Sequence, residues 1–125
     1  GKVIGVIPKD LNKKEITHKK LSKLFVVDNM HERKAKMFNL SQAAIILPGG
    51  LGTLEEFFEL LTWKTLKLHD KPIILVDIFD YWKPLIKLIQ HLIKNNFAQN
   101  EIFSTFDIVK DIDSLVSKIN FYSDY

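Results

Sequence analysis

The chain contains no cysteine among its 125 residues, which excludes disulfide bonds and thiolate metal ligands. No apolar run reaches the ~18 residues that a membrane-spanning helix needs, and the amino-terminal "GKVIGVIPKD" lacks the apolar segment of a signal peptide. We therefore expect a cytoplasmic protein with no membrane partner. A hydrophobic content of 46% is enough for one domain, residues 1–125, with a sizeable core.

Arginine is nearly absent, and Arg33 is the only one in the chain. The formal net charge of +3 comes from lysines that are spread along the sequence, with the densest cluster in "NKKEITHKKLSK". These lysines do not alternate with aromatic residues, as they would in a platform that stacks nucleic-acid bases. We therefore expect a solvated lysine surface and no nucleic-acid partner, and we take the single arginine as a candidate functional residue.

Short β-branched runs alternate with stretches of helical period, which predicts an α/β fold with a parallel sheet flanked by helices. The predicted strands are Val3–Ile7, Leu24–Val27, Ala44–Leu47, Ile73–Val76 and Asp107–Val109, and the predicted helices are Met30–Leu40, Thr53–Leu66, Tyr81–Lys94 and Asp113–Ile119.

Side-chain patterns indicate how these helices start and which face they bury. Asn29, followed three residues later by Glu32, is typical of a capping pair. Pro84 fits only the first turn of a helix. Apolar spacing predicts buried faces, formed by Leu54, Phe57, Phe58, Leu61 and Thr65 in one helix and by Leu85, Leu88, Ile89, Leu92 and Ile93 in the next.

Glycine is also scarce, yet three of the five glycines lie in the segment Gly49–Gly52. A predicted buried strand leads into this segment, and a helix is predicted to begin directly after it. Glycines at such a junction can adopt positive φ, and they let an anion approach the backbone without meeting a Cβ. The N–H groups and the dipole of the following helix favour negative charge, so the segment predicts a phosphate-binding turn. It matches neither the P-loop nor the dinucleotide fingerprint.

A purely structural interpretation of the same segment stays open on spacing alone. The glycines would make a tight turn, and Thr53 with Glu56 would form the capping box T-x-x-E. A capping carboxylate satisfies the donors of its own helix. A carboxylate beside a bound phosphate instead feels a like charge, which favours the protonated form that acid–base chemistry uses.

The segments "MHERKAKM" (30–37) and "PGGLGTLEE" (48–56) resemble the paired signatures of the LOG ("lonely guy") family, the cytokinin-activating phosphoribohydrolases. The segments "VIGVIPKDLNKKEIT" (3–17) and "TWKTLKLHDKPIILVD" (62–77) are also similar to the family, so the resemblance covers essentially the whole chain. Many such proteins carry the label possible lysine decarboxylase, but no lysine of this chain stands out as a cofactor carrier.

The resemblance implies a Rossmann-like fold and hydrolysis of the N-glycosidic bond of a purine nucleoside 5′-monophosphate, either AMP or a cytokinin-type relative. The products are the free base and ribose 5-phosphate. It further implies a homodimer, with no cofactor and no metal. Family members carry a preceding β-α-β region with its own glycine-rich stretch, and we expect this chain to begin after that region. A sheet edge or apolar face is then expected where the missing strands would pack.

The family's catalytic residues match Arg33 and Glu56, the latter in preference to Glu55. The substrate-binding residues that the resemblance implies are Glu15, Arg33, Lys34, Gly49, Gly50, Leu51, Gly52, Thr53, Leu54, Glu55, Glu56 and Thr62. The transition state of glycosidic cleavage resembles an oxocarbenium ion, so a carboxylate such as Glu56 can stabilise its charge or activate water. Arg33 can orient the phosphate or the sugar, or polarise the leaving base.

Other residues carry weaker signals. The pair His69–Asp70 is far from a complete metal site. Met30, Met37 and Phe38 have the spacing of a packing stripe, which indicates core or dimer contact rather than a ligand site. Without the resemblance, Arg33 is better explained as an exposed helix residue paired with a nearby acid. Three functions stay open: a LOG-type hydrolase, a nucleotide or cofactor carrier on the same fold without turnover, and an inactive remnant that serves as an oligomerisation module.

Overall fold

The computed structural model describes residues 1–12 and 19–124, and their contacts divide the chain into two compact units. The first unit is Gly1–Gln42 and the second is Ala43–Tyr125. The prediction of a single domain over residues 1–125 stays a prediction. Within the described parts of the chain, no helix is long and apolar enough to cross a membrane.

The first unit is a β-α-β-α segment with one parallel strand pair. Its elements are β1 (Ile4–Pro8), α1 (Lys9–Asn12), β2 (Lys23–Val27) and α2 (Met30–Leu40). Strands β1 and β2 pair in parallel, from Ile4 opposite Lys23 to Pro8 opposite Val27. The strands Val3–Ile7 and Leu24–Val27 were predicted to within one residue at each end, and the predicted bounds of α2 are confirmed.

Helix α2 starts with the predicted capping pair. The Asn29 side-chain oxygen accepts a hydrogen bond from the Glu32 N–H at 2.9 Å. The Glu32 carboxylate reaches back and accepts from the Asp28 N–H, also at 2.9 Å. The carboxylate thus binds the residue before the N-cap rather than the N-cap itself, and both bonds satisfy donors at the start of the helix.

The second unit is a three-stranded parallel sheet with helices between its strands. Its elements are β3 (Ala44–Ile46), α3 (Leu51–Thr65), β4 (Ile73–Val76), α4 (Lys83–Lys94), β5 (Asp107–Val109) and α5 (Ile112–Ser123), with 3₁₀ turns at Ile78–Asp80 and Asn100–Ser104. The strand order is β3-β4-β5, and both pairings are parallel. The parallel α/β architecture flanked by helices, predicted from the alternation of strands and helices, is confirmed.

The core of this unit lies on both faces of β4, all four residues of which are buried. Ile73 and Leu75 belong to a cluster on one face, and Ile74 and Val76 belong to a separate cluster on the other. The first cluster also contains Ile46, Phe57, Leu61, Trp82, Leu85, Ile89 and Phe106, and the second also contains Val109 and Leu115. A central parallel strand is apolar throughout because helices cover both of its faces.

Several helix boundaries differ from the prediction. Helix α3 begins at Leu51, two residues before the predicted start, and helix α5 extends to Ser123. Helix α4 begins at Lys83 rather than Tyr81, because Phe79 and Asp80 adopt left-handed φ values of 54° and 57° in the turn that precedes it. Pro84 occupies the first turn of α4, as predicted.

Several residues predicted to be buried are exposed. Thr65 is exposed at the end of α3, and Leu88 is exposed on α4. Met30 and Met37 are 40% and 38% exposed on α2, so they do not form core of the first unit, and their alternative role as dimer contacts stays a prediction. Helical spacing alone places these residues near the edge of an apolar stripe, and neighbouring elements then decide how far each stripe is covered.

Candidate active site

The glycine-rich turn ends where helix α3 begins. Gly50 is the N-cap, with φ −110° and ψ −147°, and the first helical hydrogen bond runs from the Leu54 N–H to the Gly50 carbonyl at 3.1 Å. The N–H groups of Leu51, Gly52 and Thr53 lie ahead of that first bond. They therefore form the donor-rich, partially positive end of the helix.

The glycines of the turn serve two different purposes. None of the five glycines, all of which lie in the described parts of the chain, has a positive φ, so the expectation that they supply left-handed backbone is wrong. A Cβ at Gly49 would lie 2.3 Å from Thr53 Oγ1 and 3.0 Å from Thr53 Cβ, so this position is closely packed. A Cβ at Gly50 or Gly52 would meet nothing within 4 Å. These two glycines leave open space beside the helix start, which agrees with close approach of a group to the backbone.

The capping-box interpretation of Thr53 and Glu56 is wrong. Because α3 begins at Leu51, Thr53 is its third residue and not its N-cap, and the N-cap residue, Gly50, has no side chain that could cap the helix. Glu56 therefore lies in the second turn of α3. It is half-buried, whereas its neighbour Glu55 is exposed.

The other predicted site residues of α3 differ in how exposed they are. Leu51 is 86% exposed at the first helical position, and Leu54 packs against the core. Thr62 is exposed, and its hydroxyl donates to the Phe58 carbonyl of its own helix at 2.7 Å. Glu55 and Thr62, which lie seven residues apart on one helical face, are both exposed.

The remaining candidates belong to the first unit. Arg33 is half-buried on α2, and its Nε donates to the Val6 carbonyl of β1 at 3.0 Å. The description of Arg33 as a solvent-exposed helix residue is therefore wrong, because a backbone carbonyl orients its guanidinium. Lys34 is also half-buried. Glu15 lies outside the described residues.

Three polar residues that the sequence analysis did not select lie at the carboxyl edge of the three-stranded sheet. The Tyr81 hydroxyl donates to the Gly49 carbonyl at 2.6 Å. Asp77 directly follows β4 and is fully buried, and Lys110 directly follows β5. A polar residue directly after each of two neighbouring parallel strands is the signal that could have identified Asp77 and Lys110, since ligands of α/β sheets lie at this edge.

Asp77 and Lys110 form the centre of a charged network. The Asp77 carboxylate accepts from the Trp82 N–H at 2.6 Å and from the Lys110 ammonium at 2.5 Å. The Lys110 ammonium also lies 2.9 Å from the Asp80 carboxylate. Hydrogen bonds to Asp77 and then Asp80 raise the pKa of Lys110, and the bond from Lys110 lowers the pKa of Asp80. The charged form of each group is thereby favoured.

His69 makes backbone contacts through both ring nitrogens. Its Nδ1 accepts from the Lys71 N–H at 3.1 Å, so Nε2 carries the proton and donates to the Leu60 carbonyl at 2.9 Å. Within residues 1–12 and 19–124, no group of three or more His, Cys, Asp or Glu side chains could hold a metal ion.

A cleft of about 490 Å³ lies at the other edge of the sheet. It is lined by Lys64, Lys67, His69, Asp70, Ser104 and Thr105. These residues precede β4 and β5, whereas the glycine turn follows β3. None of the predicted substrate-binding residues lines this cleft.

Comparison with known proteins identifies the family. The sequence model of the family described as "Possible lysine decarboxylase" matches residues 1–119. The chain belongs to this family. The match to a family carrying that label, together with the names of the relatives below, confirms the resemblance predicted from the segments 30–37 and 48–56.

Curated relatives of this family member share one name. The chain is 43% identical over 120 residues to the cytokinin riboside 5′-monophosphate phosphoribohydrolase of Rhodococcoides fascians, covering 95% of this chain and 61% of that protein. An Arabidopsis thaliana protein of the same name is 39% identical over 121 residues, covering 97% of this chain and 56% of that protein. A rice protein, a probable enzyme of this name from Oryza sativa subsp. japonica, is 38% identical over 121 residues, covering 97% and 50%. The chain thus spans about half to three fifths of the length of these relatives.

Proposed function

We propose that this protein is a phosphoribohydrolase that cleaves the N-glycosidic bond of purine nucleoside 5′-monophosphates, AMP or cytokinin-type, to free base and ribose 5-phosphate. The proposal is supported by the names of the relatives. The observation that carries it is the open space at Gly50 and Gly52, directly beside the N-terminus of α3. A half-buried carboxylate, Glu56, follows in the next turn of the same helix.

In this proposal the turn binds the 5′-phosphate of the substrate. The N–H groups of Leu51, Gly52 and Thr53 donate to phosphate oxygens, and the helix dipole stabilises the negative charge. A side chain at Gly50 or Gly52 would fill the space that the phosphate needs. Binding at this end also places the ligand at the carboxyl edge of the parallel sheet, where α/β proteins usually hold their ligands.

Glu56 is proposed as the carboxylate that acts on the glycosidic bond. It follows Gly52 by four residues, so the two positions share one face of α3, about 6 Å apart along the helix axis. Helical side chains lean toward the N-terminus, so the Glu56 carboxylate is directed back toward the turn. A phosphate held at the turn therefore brings its ribose near this carboxylate, which can stabilise the oxocarbenium-like transition state or activate water.

Arg33 is proposed as the second catalytic residue. Its guanidinium presents a rigid fork of donors, and the bond from Nε to the Val6 carbonyl fixes the direction of that fork. The guanidinium can orient the phosphate or the sugar, or it can polarise the leaving base. Lys34, Glu15, Glu55 and Thr62 stay proposed substrate contacts, and the homodimer and the cytoplasmic location stay predictions from the sequence.

Base release from a nucleoside monophosphate tests this function. The purified chain is incubated with AMP and with N6-isopentenyl-AMP, and free base is quantified by chromatography. We expect release by the unaltered protein, a loss of at least ~100-fold in Glu56→Gln and a strong loss in Arg33→Ala. Glu55→Gln is the matched control for Glu56→Gln because it changes the neighbouring, exposed carboxylate, a proposed substrate contact with no catalytic role. We expect it to affect the KM for AMP only and to keep kcat.

The outcomes separate the three functions. Nucleotide binding by a folded protein without any free base would contradict the hydrolase and support the carrier. Neither binding nor release would support the inactive remnant. Equal losses of base release in Glu56→Gln and Glu55→Gln would show that Glu56 has no specific role.

A further inference from the structure

The turn between β4 and α4, residues Asp77–Trp82, contacts the glycine turn through the Tyr81 side chain. Tyr81 donates its hydroxyl to the Gly49 carbonyl at 2.6 Å, across 32 positions in the sequence. We propose that Tyr81 is a positioning residue, which fixes the orientation of the Gly49–Gly50 peptide so that the Gly50 N–H faces the phosphate. This inference rests on the proposed function, because it concerns the same phosphate turn.

The geometry of a trans peptide gives the hydrogen bond its effect. The Gly49 carbonyl and the Gly50 N–H belong to one planar group and point in opposite directions. Holding the carbonyl on Tyr81 therefore directs the Gly50 N–H away from Tyr81. Two successive glycines offer little resistance to rotation of the peptide between them. A rotated peptide would present a partially negative carbonyl oxygen to the phosphate, so a bond that selects one orientation favours anion binding.

Tyr81 is itself held in place from two sides. Its ring lies edge-to-face against Trp82, with ring centroids 4.8 Å apart, and Trp82 is 4% exposed. The Trp82 N–H is bound by the buried Asp77 carboxylate at 2.6 Å. The Tyr81 side chain is 50% exposed, but its ring packs on the buried Trp82, whose backbone is bound by Asp77.

The turn also stores strain that the ion pairs offset. Phe79 and Asp80 adopt left-handed conformations, which are costly for residues other than glycine, and Phe79 is 99% exposed. Lys110 contacts both Asp77 and Asp80, so it joins the buried start of the turn to its strained middle. Strained backbone that the surrounding contacts maintain is typical of functional sites. In this turn, the strained backbone precedes Tyr81, whose hydroxyl contacts the Gly49 carbonyl.

Tyr81→Phe tests the inference by removing only the hydroxyl. We expect the KM for AMP to rise roughly 3- to 10-fold, the effect of one hydrogen bond, with kcat within about 2-fold of the unaltered protein. Inhibition by inorganic phosphate, which competes for the turn, should weaken by the same factor. Tyr122→Phe is the matched control, because it removes a hydroxyl that bonds Asp107 at the start of β5. We expect it to leave the KM and the phosphate inhibition unchanged.

Each other outcome overturns the inference in a distinguishable way. An unaltered KM and phosphate inhibition in Tyr81→Phe would show that the hydroxyl does not position the turn, while the proposed function would stand. A fall in kcat alone, or loss of the fold by circular dichroism, would assign Tyr81 a different role. Failure of the unaltered protein to release base would overturn the proposed function and this inference together.

Discussion

Lys110 places its ammonium 2.5 Å from the carboxylate of Asp77, a residue with no exposed surface. The two residues directly follow neighbouring parallel strands, so the strand pairing brings a buried negative charge and an exposed positive charge together. The same carboxylate accepts a hydrogen bond from the backbone N–H of Trp82, which is the N-cap residue of α4. This pair therefore links the end of the central strand to the turn that reaches the proposed phosphate site.

Replacement of Asp77 tests its role in the core. Asp77→Ala removes the acceptor of the buried Trp82 N–H, and an unsatisfied buried donor costs about 1–3 kcal/mol. We expect the free energy of unfolding, measured in urea, to fall by about that amount. Asp77→Asn keeps an oxygen for the Trp82 N–H and removes only the charge facing Lys110, so it should lose less. Equal losses in the two variants would show that the bond to Trp82 contributes nothing.

The left-handed conformation of Phe79 predicts a stabilising substitution. Phe79→Gly removes the steric cost of φ 54° and loses almost no packing, because the side chain is 99% exposed. After the added freedom of the unfolded chain is subtracted, we expect a gain of about 0.5–1 kcal/mol in the free energy of unfolding. Phe79→Ala keeps the left-handed strain and should change stability little. A lower stability for Phe79→Gly than for Phe79→Ala would contradict this account of the turn.

Two glycines of the turn should respond oppositely to alanine. Gly49→Ala places a Cβ 2.3 Å from Thr53 Oγ1, and such overpacking costs about 1–3 kcal/mol. Gly52→Ala meets no protein atom and improves helix propensity, so it should stabilise the fold by about 0.5–1 kcal/mol. Its Cβ occupies the proposed phosphate space, so the KM for AMP should rise. A stable Gly52→Ala protein with an unaltered KM would contradict phosphate binding at this position.

The hydrogen bond between Tyr122 and Asp107 predicts a loss of stability at high pH. Its hydroxyl donates to the Asp107 carboxylate, which raises the pKa of Tyr122 to about 12 from the ordinary 10.0. The folded protein therefore binds more protons than the unfolded chain between these two values, so this contribution to stability is complete below pH 10 and is lost as the pH rises to 12.

A titration that follows the ultraviolet absorbance of tyrosinate checks the direction of the pKa shift and its assignment to Tyr122. We expect one tyrosine to ionise near pH 12 and this late phase to vanish in Tyr122→Phe. The same variant should show a weaker dependence of stability on pH above 10. A late phase that persists in Tyr122→Phe would assign it to another tyrosine.

Much of the fold was readable from the sequence because local patterns and tertiary packing agree. The run Ile73–Val76 is apolar and mostly β-branched, and it forms the buried central strand with the predicted bounds. The start of α3 was missed because two signals competed. Thr53 and Glu56 have the spacing of a capping box, whereas the true N-cap, Gly50, carries no side chain that could mark the boundary.

The long-range contacts that position the candidate site were harder to predict from the sequence. Left-handed backbone at Phe79 has no glycine to indicate it, and Tyr81 meets Gly49 only because β3 and β4 are neighbours in the sheet. Contacts across 32 residues follow from strand order, which local patterns do not specify. Resemblance to a known family, in contrast, proposes Glu56 and the glycine turn as site residues directly from their motif, and their roles stay predictions.

The most direct test of the central claim compares AMP with adenosine as substrates of the unaltered protein. If the turn before α3 binds the 5′-phosphate, several charge-assisted hydrogen bonds are lost with adenosine, and kcat/KM for base release should be at least ~100-fold higher for AMP. Glu56→Gln should abolish release from both substrates. Equal kcat/KM values for AMP and adenosine, or no free base from either with a folded protein, would contradict the account.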